Sequence, residues 1–235
     1  MARKAKPFEP RSSLKLWGAI RVWAWIFIFA ALALIGLSAW RAHWLFALDN
    51  APITEIELYD GTSLTETLAF VGFSCLLILA YVVGAVLVLS WYLRSVRNGQ
   101  ILTRGMEARP TWAVWYFIIP VVSLFKPYSM TSELWRSSLR PEGWKALRDP
   151  AMLRWWWGCV LTAGVIATVA DIFSRQAVSA DVLAQTAVAA TLAFGLQVLA
   201  GLLFLRIGGQ ISWQQSALID EGYRPPQPTI PAWSA

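Results

Sequence analysis

Four runs of this chain are long and apolar enough to cross a bilayer, and they leave few folds open. They cover residues 22–40, 67–93, 155–174 and 182–205. Hydrocarbon offers no water, so backbone N–H and C=O groups at that depth must pair within the segment. At these lengths a helix does so. The expected fold class is therefore all-α, a polytopic membrane helix bundle with four transmembrane helices. The first run is nineteen residues with basic residues before it. That is longer than the apolar region of a signal peptide, so it reads as a retained anchor. Composition agrees: 57% of residues are hydrophobic and 14% charged, against about 25% charged in a soluble domain. The chain holds fifteen tryptophans, a residue that collects at membrane interfaces. Its net charge of +6 does not point to nucleic acid, because the basic residues flank apolar runs.

Around these runs we expect a basic arm over residues 1–21, one transmembrane domain over 22–206, and a proline-rich tail over 207–235. Residues 53–59 (ITEIELY) partly alternate and suggest a short strand. Past Gly208 and Gly209 a separate short surface helix is expected. Gly72, Ala80 and Gly84 in the second run offer positions where helices approach closely.

A fifth apolar stretch, residues 111–125, behaves differently. As a helix its fifteen residues reach ~22 Å, short of a ~30 Å core. Pro120 sits inside it and removes a backbone donor. We expect a re-entrant or interfacial segment over 111–138: a helix to Ile119, a break at Pro120, and a second helix opened by Lys126-Pro127. On that second helix Met130, Leu134 and Ser138 share a face, and Glu133 meets Arg136 or Ser137 one turn on. Trp112, Trp115, Tyr116, Tyr128 and Trp135 are expected at headgroup level. The alternative is a fifth span.

Orientation follows from Lys and Arg. Residues 1–15 carry five with Arg21 at the edge of the first run, the segment 94–154 carries ten, and the outer connections carry only Arg41 and Arg175. The positive-inside rule then places both termini and the middle segment in the cytoplasm. A fifth span would export the six charges that follow residue 125.

Few polar residues interrupt the spans. Cys159, Ala163, Ala167 and Asp171 recur every four residues in the third, as do Gln185, Ala189, Ala193, Gln197 and Gly201 in the fourth. Small stripes of this kind serve helix packing. Asp171 falls ~24 Å beyond Trp155, near the outer edge of a ~30 Å core, within one turn of Arg175. We expect a wet ion pair there rather than a proton relay. Asp171, Arg175 and Gln197 are the intramembrane polar candidates.

Much chemistry is missing. His43 is the single histidine, and Cys75 and Cys159 both lie in apolar runs. No metal site, cofactor motif or catalytic motif is expected, and no enzyme activity.

Five motifs resemble one family: Arg97-Asn98, Pro110-x-Trp112, Trp115 with Pro120 five residues on, Lys126-Pro127-Tyr128, and Glu133-Leu134-Trp135-Arg136-x-Ser138. They are similar to an uncharacterised family of small polytopic bacterial membrane proteins, catalogued as a domain of unknown function. The likeness extends from the second run to Gln210. The family often carries Asn near Ser123, and this chain departs there. The resemblance implies a fold and assigns no catalytic residue.

The function expected is that of a membrane-embedded interaction or accessory protein of a bacterial inner membrane. Its basic, aromatic segment 94–154 would meet anionic lipid headgroups, a membrane protein partner or a second copy of the chain. The ligand or partner candidates are Trp112, Trp115, Pro120, Lys126, Tyr128, Glu133, Trp135 and Arg136. Two rivals are a transporter or channel component using the Pro120 break beside Gln197, and a lipid-modifying enzyme using Glu133 and Arg136.

Overall fold

The computed structural model describes residues 9–46 and 64–225. The strand expected at 53–59 lies outside them. Every regular element among the described residues is a helix, with no strand element among them. The long helices are α1 (Leu14–Phe46), α2 (Leu64–Leu102), α5 (Ala151–Arg175) and α6 (Ala180–Asp220), and each is long and apolar enough to cross a membrane. The chain is a multi-pass membrane protein. Between α2 and α5 stand α3 (Trp115–Ile118) and α4 (Lys126–Leu139), with 3-10 turns at Pro110–Trp112, Val122–Leu124 and Trp144–Ala146. With four residues, α3 reaches ~6 Å, and no fifth helix long enough to span is present among the described residues.

The chain divides into two compact units. One comprises Ala19–Leu87 and Ala151–Arg206; the other comprises Met1–Gly18, Val88–Pro150 and Ile207–Ala235.

The first unit is built from apolar helix. Its packed positions are mostly small: Ala30, Ala31, Ala80, Ala163, Ala170 and Ala193 are buried. Ala193 and Gly201 belong to the four-residue stripe of α6. A Cβ added at Gly201 would touch Ile28 at 3.7 Å. Leu45, Ala180 and Ala184 join one end of α1 to the start of α6. Gly72 and Gly84 do not pack as expected, because a Cβ on either meets nothing within 4 Å; Ala80 alone of that trio is buried. Long apolar side chains such as Phe29, Ile78, Val82 and Leu192 point outward, which suits a surface solvated by lipid tails. Cys75 is exposed, Cys159 is buried, and both are free thiols.

The second unit has a different interior, both aromatic and polar. Trp17 packs at a tilt against Trp91 at 5.3 Å, Trp91 meets Tyr92 edge-on at 4.7 Å, and Tyr92 meets Phe117 at 5.2 Å. The other side of Trp17 lies against Gly208 and Gly209. These glycines do not end the helix, as expected from sequence. They admit an indole, and α6 runs unbroken through them to Asp220. Its stop comes at Gly222, where φ is +66° and the Tyr223 N–H reaches back to the Leu218 carbonyl at 3.0 Å. That six-to-one bond with a left-handed glycine is a Schellman end.

Hydrogen bonds then tie the N-terminal arm into this unit. Asn98 accepts from the Arg11 N–H at 3.2 Å and donates to the Arg11 carbonyl at 2.9 Å. Ser12 and Ser216 share a hydroxyl bond at 2.8 Å, and Trp91 Nε1 donates to Ser212 Oγ at 2.8 Å. Gln215 Nε2 donates to the Ser95 carbonyl at 3.1 Å.

Gly208 should therefore tolerate no side chain. Gly-to-Ala inside a helix normally gains up to ~1 kcal/mol, whereas overpacking costs ~1–3 kcal/mol. Gly208→Ala should lower the thermal midpoint of the detergent-solubilised protein, while Gly72→Ala should leave it unchanged or raise it. Likewise Ala193→Leu should lower it, and Leu192→Ala should do little. Equal responses within either pair would contradict the packing described.

Candidate functional site

The chain from Arg109 to Pro150 carries most of the sequence-predicted site residues, and they fall into two groups. One group is built into the interior of its unit; the other stands out from it.

The interior group centres on α4. Phe125 precedes it with a non-helical backbone, and Pro127 occupies its first turn, where a missing N–H costs nothing. Met130, Leu134 and Ser138 are buried on a shared face, as expected, but burial extends further. Thr131, Ser132, Glu133, Trp135 and Ser137 are also buried. The partners differ from expectation. Glu133 does not pair with Arg136 or Ser137. Its Oε2 accepts the Glu107 N–H at 3.1 Å and the Ala108 N–H at 3.0 Å. Two backbone donors held by a carboxylate form strong, charge-assisted bonds. They close the loop after α2, where Gly105 adopts a φ of +75°.

Arg136 turns instead to Asp149, with Nε 3.3 Å from Oδ1. Ser132 donates to the same carboxylate at 2.6 Å, and Tyr128 donates to its other oxygen at 3.0 Å. Three side chains of one helix thus hold the last turn of the connection to α5. The Arg136 guanidinium also lies 5.3 Å over the Trp144 ring, and Trp144 Nε1 donates to the Arg104 carbonyl at 3.0 Å. Outside this centre, Tyr223 donates to Glu142 at 3.1 Å. Partial desolvation first, then that carboxylate, raise its phenol above the ordinary value, so it stays a donor.

Tyr128, Trp135, Glu133 and Arg136 are therefore structural members of the fold. Two corrections follow. Trp135 is 7% exposed and does not stand at headgroup level. Glu133 and Arg136, considered above for lipid chemistry, do not pair with each other: the first holds the Glu107 and Ala108 N–H groups and the second faces Asp149. Asp149 was missed altogether. Its one signal in the sequence is its place just before Pro150 and the start of α5.

The outward group is the short-helix stretch around Pro120. Ile119 leaves helical geometry with a ψ of 118°, so the break falls where the proline requires it. Ser123 repairs part of the lost bonding: its N–H reaches the Ile119 carbonyl at 2.8 Å, and its hydroxyl donates to the Pro120 carbonyl at 2.7 Å. Trp112, Trp115, Ile118, Val121, Leu124 and Phe125 are all exposed. Lys126 closes the row, its ammonium 5.9 Å over the Tyr116 ring.

The intramembrane candidates lie in the other unit. Arg175 and Asp171 pair at 2.9 Å with both side chains largely exposed, the wet ion pair expected. Asp171 and Gln197 line one cleft of about 500 Å³, together with Ser38 and Arg41. Pro120 belongs to the other unit. Among the described residues no group of His, Cys, Asp and Glu could hold a metal ion.

Removing the Asp149 carboxylate tests the interior group. Asp149→Ala strands a partly buried guanidinium and two hydroxyls, at a cost of about 1–3 kcal/mol. The thermal midpoint in detergent should fall and proteolysis within residues 140–150 should quicken. An unchanged midpoint would show that this cluster does not hold the connection.

No curated protein and no solved structure matches the chain. A family model described as "Domain of unknown function (DUF4328)" matches residues 58–211, which includes α2 to α5, the Pro120 break and most of α6. By that match the chain belongs to the DUF4328 family.

Proposed function

We propose that this protein is a non-enzymatic accessory or interaction protein of a bacterial inner membrane, with both termini and the 94–154 segment on the cytoplasmic side. The segment's broken apolar row rests in the headgroup layer, and its exposed basic residues bind anionic lipid. One observation carries this reading. A row of six exposed apolar side chains sits on helical turns too short to cross, and is bracketed by exposed Arg109 and Lys126. Water disfavours such a row, and a spanning helix cannot absorb it. Aromatic rings with flanking cations suit the membrane interface. Near an anionic leaflet each Lys or Arg gains ~1 kcal/mol.

The test uses residues free of the α4 bonding. Arg109, Lys126 and Arg140 are exposed, whereas Arg136 would report on folding. In nanodiscs of mixed phosphatidylglycerol and phosphatidylcholine, the triple Gln variant should lose several-fold of the wild-type enrichment of phosphatidylglycerol around the protein. The loss should be larger at low salt, since surface charges are screened. Unchanged enrichment with an intact fold would overturn the reading and leave these charges as topology signals.

A further inference from the structure

The cleft that holds Asp171 and Gln197 lies wholly within the unit formed by Ala19–Leu87 and Ala151–Arg206. We propose that it is a binding site for one anionic phospholipid, with the phosphate on Arg41 and an acyl chain along α6. The proposal concerns a different surface from the 94–154 segment and holds whether or not that segment binds lipid.

About 500 Å³ is within the ~300–1,000 Å³ of small-molecule sites. Along α6 the lining runs from Leu183 to Gln197, ~21 Å at the helical rise. That is long enough for part of an acyl chain. The wall is alanine: Ala167 and Ala170 of α5, and Ala187, Ala190 and Ala193 of α6, with Phe70 and Phe194 beside them. Small side chains leave a channel where larger ones would have filled it.

The apparent polarity of the lining is mostly spent within the helices. Thr186 donates to the Leu183 carbonyl at 2.8 Å, and Ser174 donates to the Asp171 carbonyl at 2.9 Å. The Asp171 carboxylate is taken by Arg175 at 2.9 Å. What remains is an apolar channel with a charged group at one end.

That group is Arg41. It lies one turn from Leu45, which packs on Ala180 and Ala184 at the start of α6, so it marks the same end as Leu183, Asp171 and Ser174. Among the described residues no hydrogen bond or ion pair engages its side chain. Arg41, Arg175 and Asp171 together carry one net positive charge. A guanidinium in reach of the interface, above an apolar channel, is complementary to a phosphate that carries an acyl chain, because its planar fork binds two phosphate oxygens at once. The Gln197 amide bounds the other end, since an acyl chain gains nothing from it.

The full-length protein can be tested in detergent by native mass spectrometry, titrated with phosphatidylglycerol, phosphatidylcholine or inorganic phosphate. Wild type should retain one phosphatidylglycerol about tenfold more tightly than phosphatidylcholine. Arg41→Gln should erase that preference, and Ala190→Phe should remove retention of both lipids. In the Arg109→Gln/Lys126→Gln/Arg140→Gln background the losses caused by Arg41→Gln and Ala190→Phe should persist, which separates this site from the proposed headgroup contacts. Because Ala190→Phe can disturb packing, a milder variant runs beside it: Thr186→Cys in a Cys75→Ser/Cys159→Ala background. Phosphatidylglycerol should slow its maleimide labelling at least fivefold, and inorganic phosphate should not. Equal retention of the two lipids by wild type, an undiminished preference in Arg41→Gln, or labelling indifferent to phosphatidylglycerol would each overturn the proposal. So would protection by inorganic phosphate alone.

Discussion

Backbone polar groups need partners, and most of this structure follows from how each segment supplies them. The four long helices pair their own N–H and C=O groups and can enter hydrocarbon. The stretch around Pro120 cannot. A proline inside an apolar run short of the core thickness breaks the ladder, and the chain answers with single turns, a serine hydroxyl and a return into α4. The apolar side chains of that stretch are left facing outward because no helix of adequate length carries them across. The proposed position at the headgroup layer would satisfy both halves of the conflict, since backbone and cations would meet water while the rings meet lipid.

The two units solve the packing problem by different means. In the apolar unit, helices approach through alanine and glycine, and bulky side chains are turned to the outside. That arrangement gains little from burying apolar area, because lipid tails are as apolar as leucine. It depends on contact instead, which is why an added methylene at Ala193 matters. The other unit uses the opposite grammar. Tryptophan, tyrosine, serine, asparagine and glutamine fill its interior, and the buried Glu133 carboxylate accepts two backbone donors. A polar interior is directional. It specifies one arrangement of α4 against the residues that follow α2, and it fixes the N-terminal arm through the reciprocal Asn98–Arg11 pair.

The sequence made the four long helices legible because run length and hydropathy bear directly on the cost of placing backbone in hydrocarbon. The break at Pro120 and the opening of α4 at Lys126-Pro127 were legible for the same kind of reason, since proline acts locally. The Asp171–Arg175 pair is a one-turn contact and could be read from spacing alone. Long-range partners could not. Glu133 had an arginine at a plausible helical spacing, and nothing local said that its carboxylate would close on Glu107 and Ala108. Asp149 sits in a connection without periodicity, so its three α4 partners were invisible. Gly208-Gly209 misled in an instructive way: adjacent glycines signal a break as readily as a close approach, and only the Trp17 indole decides between them. The candidate site was half legible for this reason. Exposed aromatics announced themselves by composition, while Tyr128, Trp135 and Arg136 looked like surface residues and turned out to be buried (Trp135) or half-buried and bonded within the fold (Tyr128, Arg136).

The central claim is that the apolar run around Pro120 turns back without crossing. Sidedness of cysteine labelling on its two flanks tests this most directly. Single cysteines at Arg104 and Arg140, both exposed in the fold, would be introduced in the Cys75→Ser/Cys159→Ala background and treated in intact cells with a membrane-impermeant maleimide. The account predicts that both sites behave alike, unlabelled from outside and labelled after the membrane is opened. Labelling of Arg140→Cys but not Arg104→Cys in intact cells would place the two flanks on opposite faces and contradict it.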